Sequence, residues 1–338
     1  MVYIHVPFCR SFCTYCDFFS EAVCKGRDES ALFKRYTDLV CREINDRKEE
    51  IAATAALDTL YIGGGTPSVL PLPCLSRMVN ALGGGSWKEF TVEVNPDDIT
   101  AEYASGLKSL GVNRVSIGVQ SLDDRMLRWM NRRHDAAGAK RAFITLRDAG
   151  FDNISMDVIF GISHLTDATL TTTLSELVSW QPEHISAYQL SIEEGSALGK
   201  MAEEGKYTEA SDEQCRRQYD LICKVLRDAG YEHYEISNWA KPGFRAVHNS
   251  AYWTRDPYVG IGPGAHSLSF NSGLETRGWN DENISGWTSK SEILSPEDIR
   301  EERIMLGMRT LEGFEGRHLS ESEWFISDTI ISDLFPDR

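Results

Sequence analysis

Short apolar runs of β type alternate with longer runs of helical period along the first 230 residues. The strand candidates are VYIHV (2–6), LDTLYI (57–62), FTVEV (90–94), RVSIGV (114–119), ISMDVI (154–159) and HISAYQL (184–190). Most are rich in β-branched and aromatic residues and alternate only weakly, as strands covered on both faces do. Between them, Phe33, Tyr36, Val40 and Ile44 recur at steps of three and four, which places them on one helical face. Thr100 can cap a helix carrying Tyr103, Leu107 and Leu110 before Gly111 ends it. Ser211 and Gln214 have capping-box spacing ahead of Cys215, Tyr219, Ile222 and Leu226, with Gly230 as the stop.

Six rounds of strand then helix predict an α/β fold with a parallel sheet and right-handed crossovers. GGGT follows the second strand, EVNP ends the third, GVQS ends the fourth, and Asp157 lies late in the fifth. All would gather at the carboxyl ends of the strands, where barrel active sites form. The expectation is therefore an incomplete (β/α)6-type barrel over residues 1–230. Beyond it the rhythm changes. YEHYEISNWA reads as one more strand, and the Gly-, Asn- and Trp-rich stretch 231–290 reads as an irregular extension covering one side of the core. A helix at 296–311 belongs to a short helical C-terminal region, 291–338.

The 338 residues, 41% of them hydrophobic, are enough for a substantial core. A net charge of -16 argues against a nucleic-acid partner, whose phosphates need basic residues. No run of about 18 apolar residues is present, and the N-terminus lacks the layout of a secretory signal. The expected compartment is the cytoplasm.

Of the eight cysteines, Cys41, Cys74, Cys215 and Cys223 fall in helical patterns and read as small buried apolar residues. Cys9, Cys13 and Cys16 are different. They lie within eight residues at C-x-x-x-C-x-x-C spacing, with aromatic residues between them. Three thiolates can hold zinc or an iron–sulfur cluster. His5 or Cys24 could complete a zinc tetrahedron. A cubane on three cysteines instead leaves one iron open to a small molecule.

That spacing, with an aromatic residue just before the last cysteine, resembles the signature of the radical SAM superfamily. The resemblance implies a 4Fe–4S cluster on Cys9, Cys13 and Cys16, its open iron chelated by S-adenosylmethionine. It further implies that an electron from the reduced cluster breaks a carbon–sulfur bond of that cofactor. In the family the GGGTP motif at 63–67 meets the methionine amino group, which carries this role to Gly64, Gly65 and Thr66. Glu93, Gln120, Arg132 and Asp157 match positions that hold the rest of the cofactor, and Tyr3 and Tyr15 match aromatic positions near the cluster. No residue is implied as a catalytic acid or base.

YIHVPFC, YIGGGTPS, EVNPDD, GVNRVSIGVQSLDD and YEISNWA narrow the resemblance to oxygen-independent coproporphyrinogen III oxidase and its relatives. The oxidases carry a further cysteine two residues after the third; here that place is Phe18. CTYCDF instead resembles the HemW group of haem chaperones, and HNSAYW (248–253) resembles their haem-associated motif, which makes His248 the candidate haem ligand. The implied partners are haem or porphyrin, haem-acceptor proteins and an electron donor, with peripheral membrane contact left open. Two other readings stand beside this one: an oxidase decarboxylating propionates, and a zinc-stabilised binding module. The resemblance also implies a small helical C-terminal domain, expected to be reduced or short here.

Overall fold

The computed structural model describes residues 1–23, 29–54, 57–271 and 273–335. Cys24, named above as a possible fourth ligand, lies outside them. Among the described residues, fourteen strands form three sheets: β1 (Val2–Val6), β2 (Phe8–Cys9), β3 (Glu21–Ala22), β4 (Thr59–Gly64), β5 (Glu89–Val94), β6 (Arg114–Gln120), β7 (Ile154–Phe160), β8 (His184–Gln189), β9 (Glu232–Glu235), β10 (Asn238–Ala240), β11 (Val259–Ile261), β12 (His266–Asn271), β13 (Leu274–Asn280) and β14 (Ser289–Ile293).

The main sheet has the order β11-β1-β4-β5-β6-β7-β8-β10-β9. Six strands, β1 and β4 to β8, run parallel with a helix in most crossovers, as the alternation of patterns requires. The order is open, without a bond between its edges. It is nonetheless curled, because Tyr3, Tyr61, Glu93, Arg114, Asp157, His184 and Asn238, drawn from seven of its strands, line one interior cavity of about 240 Å³. The expected incomplete barrel is therefore present as a curved, unclosed sheet.

Helices cover its outer face. In the helix Glu29–Asp46, Phe33, Tyr36, Val40 and Ile44 are buried, as their spacing requires. Thr100 accepts from the Tyr103 N–H at 3.1 Å. Ser211 accepts from the Gln214 N–H at 3.2 Å, but the reciprocal half of a capping box is not formed. The Gln214 amide is drawn instead to the Ile162 and Leu165 carbonyls, at 2.9 and 3.1 Å, after β7.

The stretch 231–290 does more than cover. YEHYEISNWA folds as the antiparallel hairpin β9–β10 on β8, not as one strand. β11 joins β1 in parallel at the opposite edge, and β12 to β14 form a separate antiparallel sheet. Glu43 fastens this extension to the helix Glu29–Asp46 by accepting from Gly262 N, Asn280 Nδ2 and Trp287 Nε1 at 2.7–2.9 Å. The final long helix is Pro296–Gly307, four residues shorter than its pattern, and seeds a small second core of Ile304, Met308 and Ile331. Of the cysteines read as buried apolar residues, Cys215 and Cys223 are buried, whereas Cys41 and Cys74 are only half-buried.

Candidate functional site: a thiol-lined cavity at the strand ends

Register sets the site. Val2↔Leu60 through Val6↔Gly64 in β1 and β4 bring the end of β1 beside the glycine turn. The chain after β1 must then cross over that turn, and Gly65 N donates to the Val6 carbonyl at 2.8 Å. A Cβ on Gly65 would lie 2.9 Å from the Phe8 carbonyl oxygen and 3.1 Å from Cys9 Sγ. Gly64 has φ +111°, and its Cβ would meet the His5 ring at 2.7 Å. Glycine is required at both positions by close approach, and at Gly64 by conformation too.

The cysteine loop packs between this turn and the segment after β6. Cys9 Sγ and Thr66 Oγ1 are 3.4 Å apart. Thr14 is held by the Met130 and Trp129 carbonyls at 3.2 and 2.8 Å, and Asn131 Nδ2 donates to the Phe12 carbonyl at 2.7 Å. Arg132 Nη1 donates to Cys13 Sγ at 3.3 Å and Nη2 to the Gly118 carbonyl at 2.6 Å, while its Nε is buried without a partner. Burial pushes the Cys16 thiol up to about 11 and raises that of Cys9. Such thiols resist ionisation in isolation, and a bound metal is the usual compensation.

Cys9, Cys13, Cys16, Gly64, Gly65, Thr66, Glu93, Gln120, Arg132 and Asp157 line one cavity of about 420 Å³, a size suited to a small-molecule ligand. Glu93 accepts from Tyr61 Oη at 2.6 Å and from the Gly64 N–H at 3.1 Å, yet burial holds its carboxyl up at about 7. Asp157 accepts from Ser116 Oγ at 3.3 Å and is held up at about 6, again by burial. Both ask for a cationic partner. Gln120 adopts φ +66° where the β6–β7 register shifts, and its Oε1 is buried without a hydrogen bond. Strained, unpartnered polar groups of this kind collect where a ligand is held. Buried carboxylates and an unpartnered guanidinium N–H suit the ammonium, sulfonium and carboxylate of a zwitterion. The donor set fits both an iron–sulfur cluster and such a chelator.

Tyr15 lines the same cavity, but Tyr3 does not. Tyr3 faces the interior cavity beneath, where its hydroxyl lies 3.0 Å from His5 Nδ1. His5 Nε2 is 3.0 Å from the Phe19 carbonyl, so both of its nitrogens are engaged.

His248, the residue the haem reading singles out, is buried in the structure. The residue is 1% exposed, and both of its ring nitrogens have hydroxyl partners. Thr59 Oγ1 lies 2.9 Å from Nδ1 and Tyr252 Oη 3.0 Å from Nε2. Glu89 accepts from the Val247 and His248 N–H groups at 2.8 and 2.9 Å, capping the helix Val247–Trp253 from another element. In this conformation His248 is a structural post at the floor of the curled sheet.

Residues the pattern of motifs did not single out also matter. Arg114, 3% exposed with Nε unpartnered, is the buried cation facing Glu89 and Asp157 across the interior. No periodic signal marks it, because it sits in a strand that reads as core. At the mouth of the thiol-lined cavity, Phe12 and Phe18 are 49% and 68% exposed and Tyr188 is also exposed.

The sequence profile described as the radical SAM superfamily matches residues 3–177. A protein named heme chaperone HemW from Synechocystis is 33% identical over 92% of this chain and 78% of its own. One of the same name from Bacillus subtilis is 32% identical over 99% and 90%. A bovine mitochondrial protein, radical S-adenosyl methionine domain-containing protein 1, is 29% identical over 95% and 76%. Among solved structures, coproporphyrinogen III oxidase HemN from Escherichia coli superposes with a TM-score of 0.76, at 20% identity, over 99% of this chain and 80% of that one.

Proposed function

The chain belongs to the radical SAM superfamily, within the group of the HemW haem chaperones, and from that membership we propose a cluster-bearing, S-adenosylmethionine-binding haem carrier. The observation that supports it most is the single cavity in which three thiols, a glycine turn, two buried carboxylates and a buried arginine meet.

Cys9, Cys13 and Cys16 would hold a 4Fe–4S cluster. Gly64, Gly65 and Thr66 would approach the amino end of S-adenosylmethionine, with Glu93 and Asp157 on its cationic groups and ribose and Arg132 beside its carboxylate. Gln120 supplies a free amide oxygen, and Tyr15 packs against the loop. Tyr3 supports the site from below, through His5. When bound, the pair supplies one-electron chemistry; this chain orients it and keeps water from it. The helices and loops around the strand ends serve that exclusion.

For haem, the exposed rings of Phe12 and Phe18 offer a flat macrocycle a first contact beside the cluster. Ligation through His248 requires the helix Val247–Trp253 to leave its seat and break the bonds to Thr59 and Tyr252. Acceptor proteins and an electron donor complete the scheme, placed in the cytoplasm. Among the described residues no helix is long and apolar enough to cross a membrane. Phe18, standing where the oxidases carry a cysteine, speaks against coproporphyrinogen decarboxylation.

Transfer of haem to an apo-acceptor, followed in the Soret region, tests the carrier reading. Transfer that needs Phe18, together with no decarboxylated porphyrin in anaerobic assays, is expected. Porphyrin product with release of carbon dioxide would replace the carrier with the oxidase.

A further inference from the structure

Away from that cavity, Cys223, His233 and Glu321 bring three ligand atoms within 4.8 Å of one another. They come from three elements: the helix Asp212–Asp228, β9 and the short helix Glu321–Trp324. His233 Nδ1 lies 4.0 Å from Cys223 Sγ and 3.3 Å from Glu321 Oε1. The imidazole is clamped between rings, stacked on Trp239 at 4.0 Å and met edge-on by Trp324 at 4.4 Å. Its Nε2 faces the Ile236 carbonyl at 3.4 Å.

Both nitrogens of His233 thus face electron pairs, a carbonyl on one side and a carboxylate on the other. A neutral imidazole has one N–H and cannot satisfy both. With that proton on Nε2, the bare Nδ1 lone pair faces the Glu321 carboxylate and the Cys223 sulfur, three donor atoms converging on one point that a cation can occupy.

The geometry points to a mononuclear site for a divalent cation of the zinc class, bound by Cys223 Sγ, His233 Nδ1 and Glu321 Oε1 with water as fourth ligand. Zinc bonds of about 2.0–2.3 Å imply ligand–ligand edges of roughly 3.3–3.8 Å in a tetrahedron. The separations of 4.0 and 3.3 Å from His233 Nδ1 lie within a few tenths of an ångström of that range. On binding, the Cys223 S–H bond breaks, its proton leaves to solvent and the sulfur lone pair forms the S–metal bond. Thiolate and carboxylate together neutralise the dication, so no net charge is buried. The Ile236 carbonyl fixes the imidazole tautomer, and Arg227 holds the other oxygen of Glu321, so both ligands have an orienting partner. Bound there, the ion pins the C-terminal segment to β9 and the helix beneath, far in sequence from the N-terminal cysteines.

The test uses the full chain, reconstituted without oxygen with iron and sulfide, then equilibrated with one equivalent of zinc. Metal analysis after gel filtration and zinc-edge X-ray absorption are the readouts. One retained zinc with a single sulfur and otherwise nitrogen or oxygen neighbours is expected. Cys223→Ser and Glu321→Gln should weaken zinc binding by more than the ~100-fold that loss of an orienting partner costs, and Cys41→Ser should not. If Cys223→Ser fails to fold, the partly exposed Glu321→Gln carries the comparison. A zinc shell with three sulfurs places the ion on Cys9, Cys13 and Cys16 and overturns the site, as does folded wild type that retains no zinc.

Discussion

Arg132 donates to the sulfur of Cys13 at 3.3 Å, so the buried guanidinium and the thiol loop are one unit before any cofactor arrives. A second N–H of Arg132 holds the Gly118 carbonyl, and Nε is buried without a partner. An arginine so placed is set to receive an anion in a fixed orientation. Arg132→Ala should weaken S-adenosylmethionine binding by about 2 kcal/mol, or roughly 30-fold. Arg132→Lys should recover only part of it, since the fork is lost. Equilibrium dialysis on reconstituted protein measures both; unchanged affinity in Arg132→Ala would remove the residue from the site.

The pH dependence follows from Glu93 and Asp157, held at about 7 and about 6 against ordinary values of 4.5 and 3.8. Both folded values are raised, so the folded state binds more protons than the unfolded one between each pair. Their stabilising contribution is present below the unfolded values and is lost as pH rises through the folded ones. For Glu93 that loss is on the order of 3 kcal/mol. Ligand-free protein should therefore melt lower at about pH 8 than at about pH 5, and Glu93→Gln should reduce the difference. A cationic ligand favours the carboxylates, so its affinity should rise over the same interval. Melting curves with and without S-adenosylmethionine check both; identical pH profiles for wild type and Glu93→Gln would refute the assignment.

Gly64 and Gly84 separate close approach from backbone strain. Both have positive φ, but a Cβ on Gly84 meets nothing within 4 Å, whereas one on Gly64 meets the His5 ring. Gly84→Ala should cost only the conformational strain, about 1 kcal/mol. Gly64→Ala should cost about 2–4 kcal/mol and displace His5, loosening the cysteine loop through Phe19. Denaturant titrations and iron content compare them. Equal losses in the two variants would show that the approach to His5 is not what demands glycine.

His248 yields a prediction opposite to the one its motif suggests. His248→Ala removes one buried and one part-buried hydrogen bond and leaves the hydroxyls of Thr59 and Tyr252 without that partner, at a cost of about 2–4 kcal/mol. Haem uptake per folded molecule should be unchanged, because the imidazole faces the interior. Haem titration corrected for folded fraction decides, and a changed Soret band in the variant would return His248 to the iron.

Much of this was legible in the chain because local signals agreed with the fold. The β-branched runs became the parallel strands, Thr100 capped as its position requires, and the cysteines met the glycine turn through the register of β1 on β4. The parts that were not legible depend on partners distant in sequence. YEHYEISNWA has no turn signal of the Asn-Gly kind, so its hairpin at Ile236 and Ser237 went unseen. β11 is only three residues long and gains its place by pairing with β1. HNSAYW reads as ligand chemistry from its residue types, but burial is a tertiary property, and Glu89 and Thr59, far upstream, turn the histidine inward.

The central claim is that the N-terminal loop leaves one iron of a cubane for S-adenosylmethionine. It is tested most directly by low-temperature EPR of the reduced, anaerobically reconstituted protein, recorded before and after adding that ligand. A reduced 4Fe–4S signal that shifts on addition, and is absent in Cys13→Ser, is the expected result. A signal indifferent to S-adenosylmethionine, or none with iron and sulfide supplied, would contradict the account.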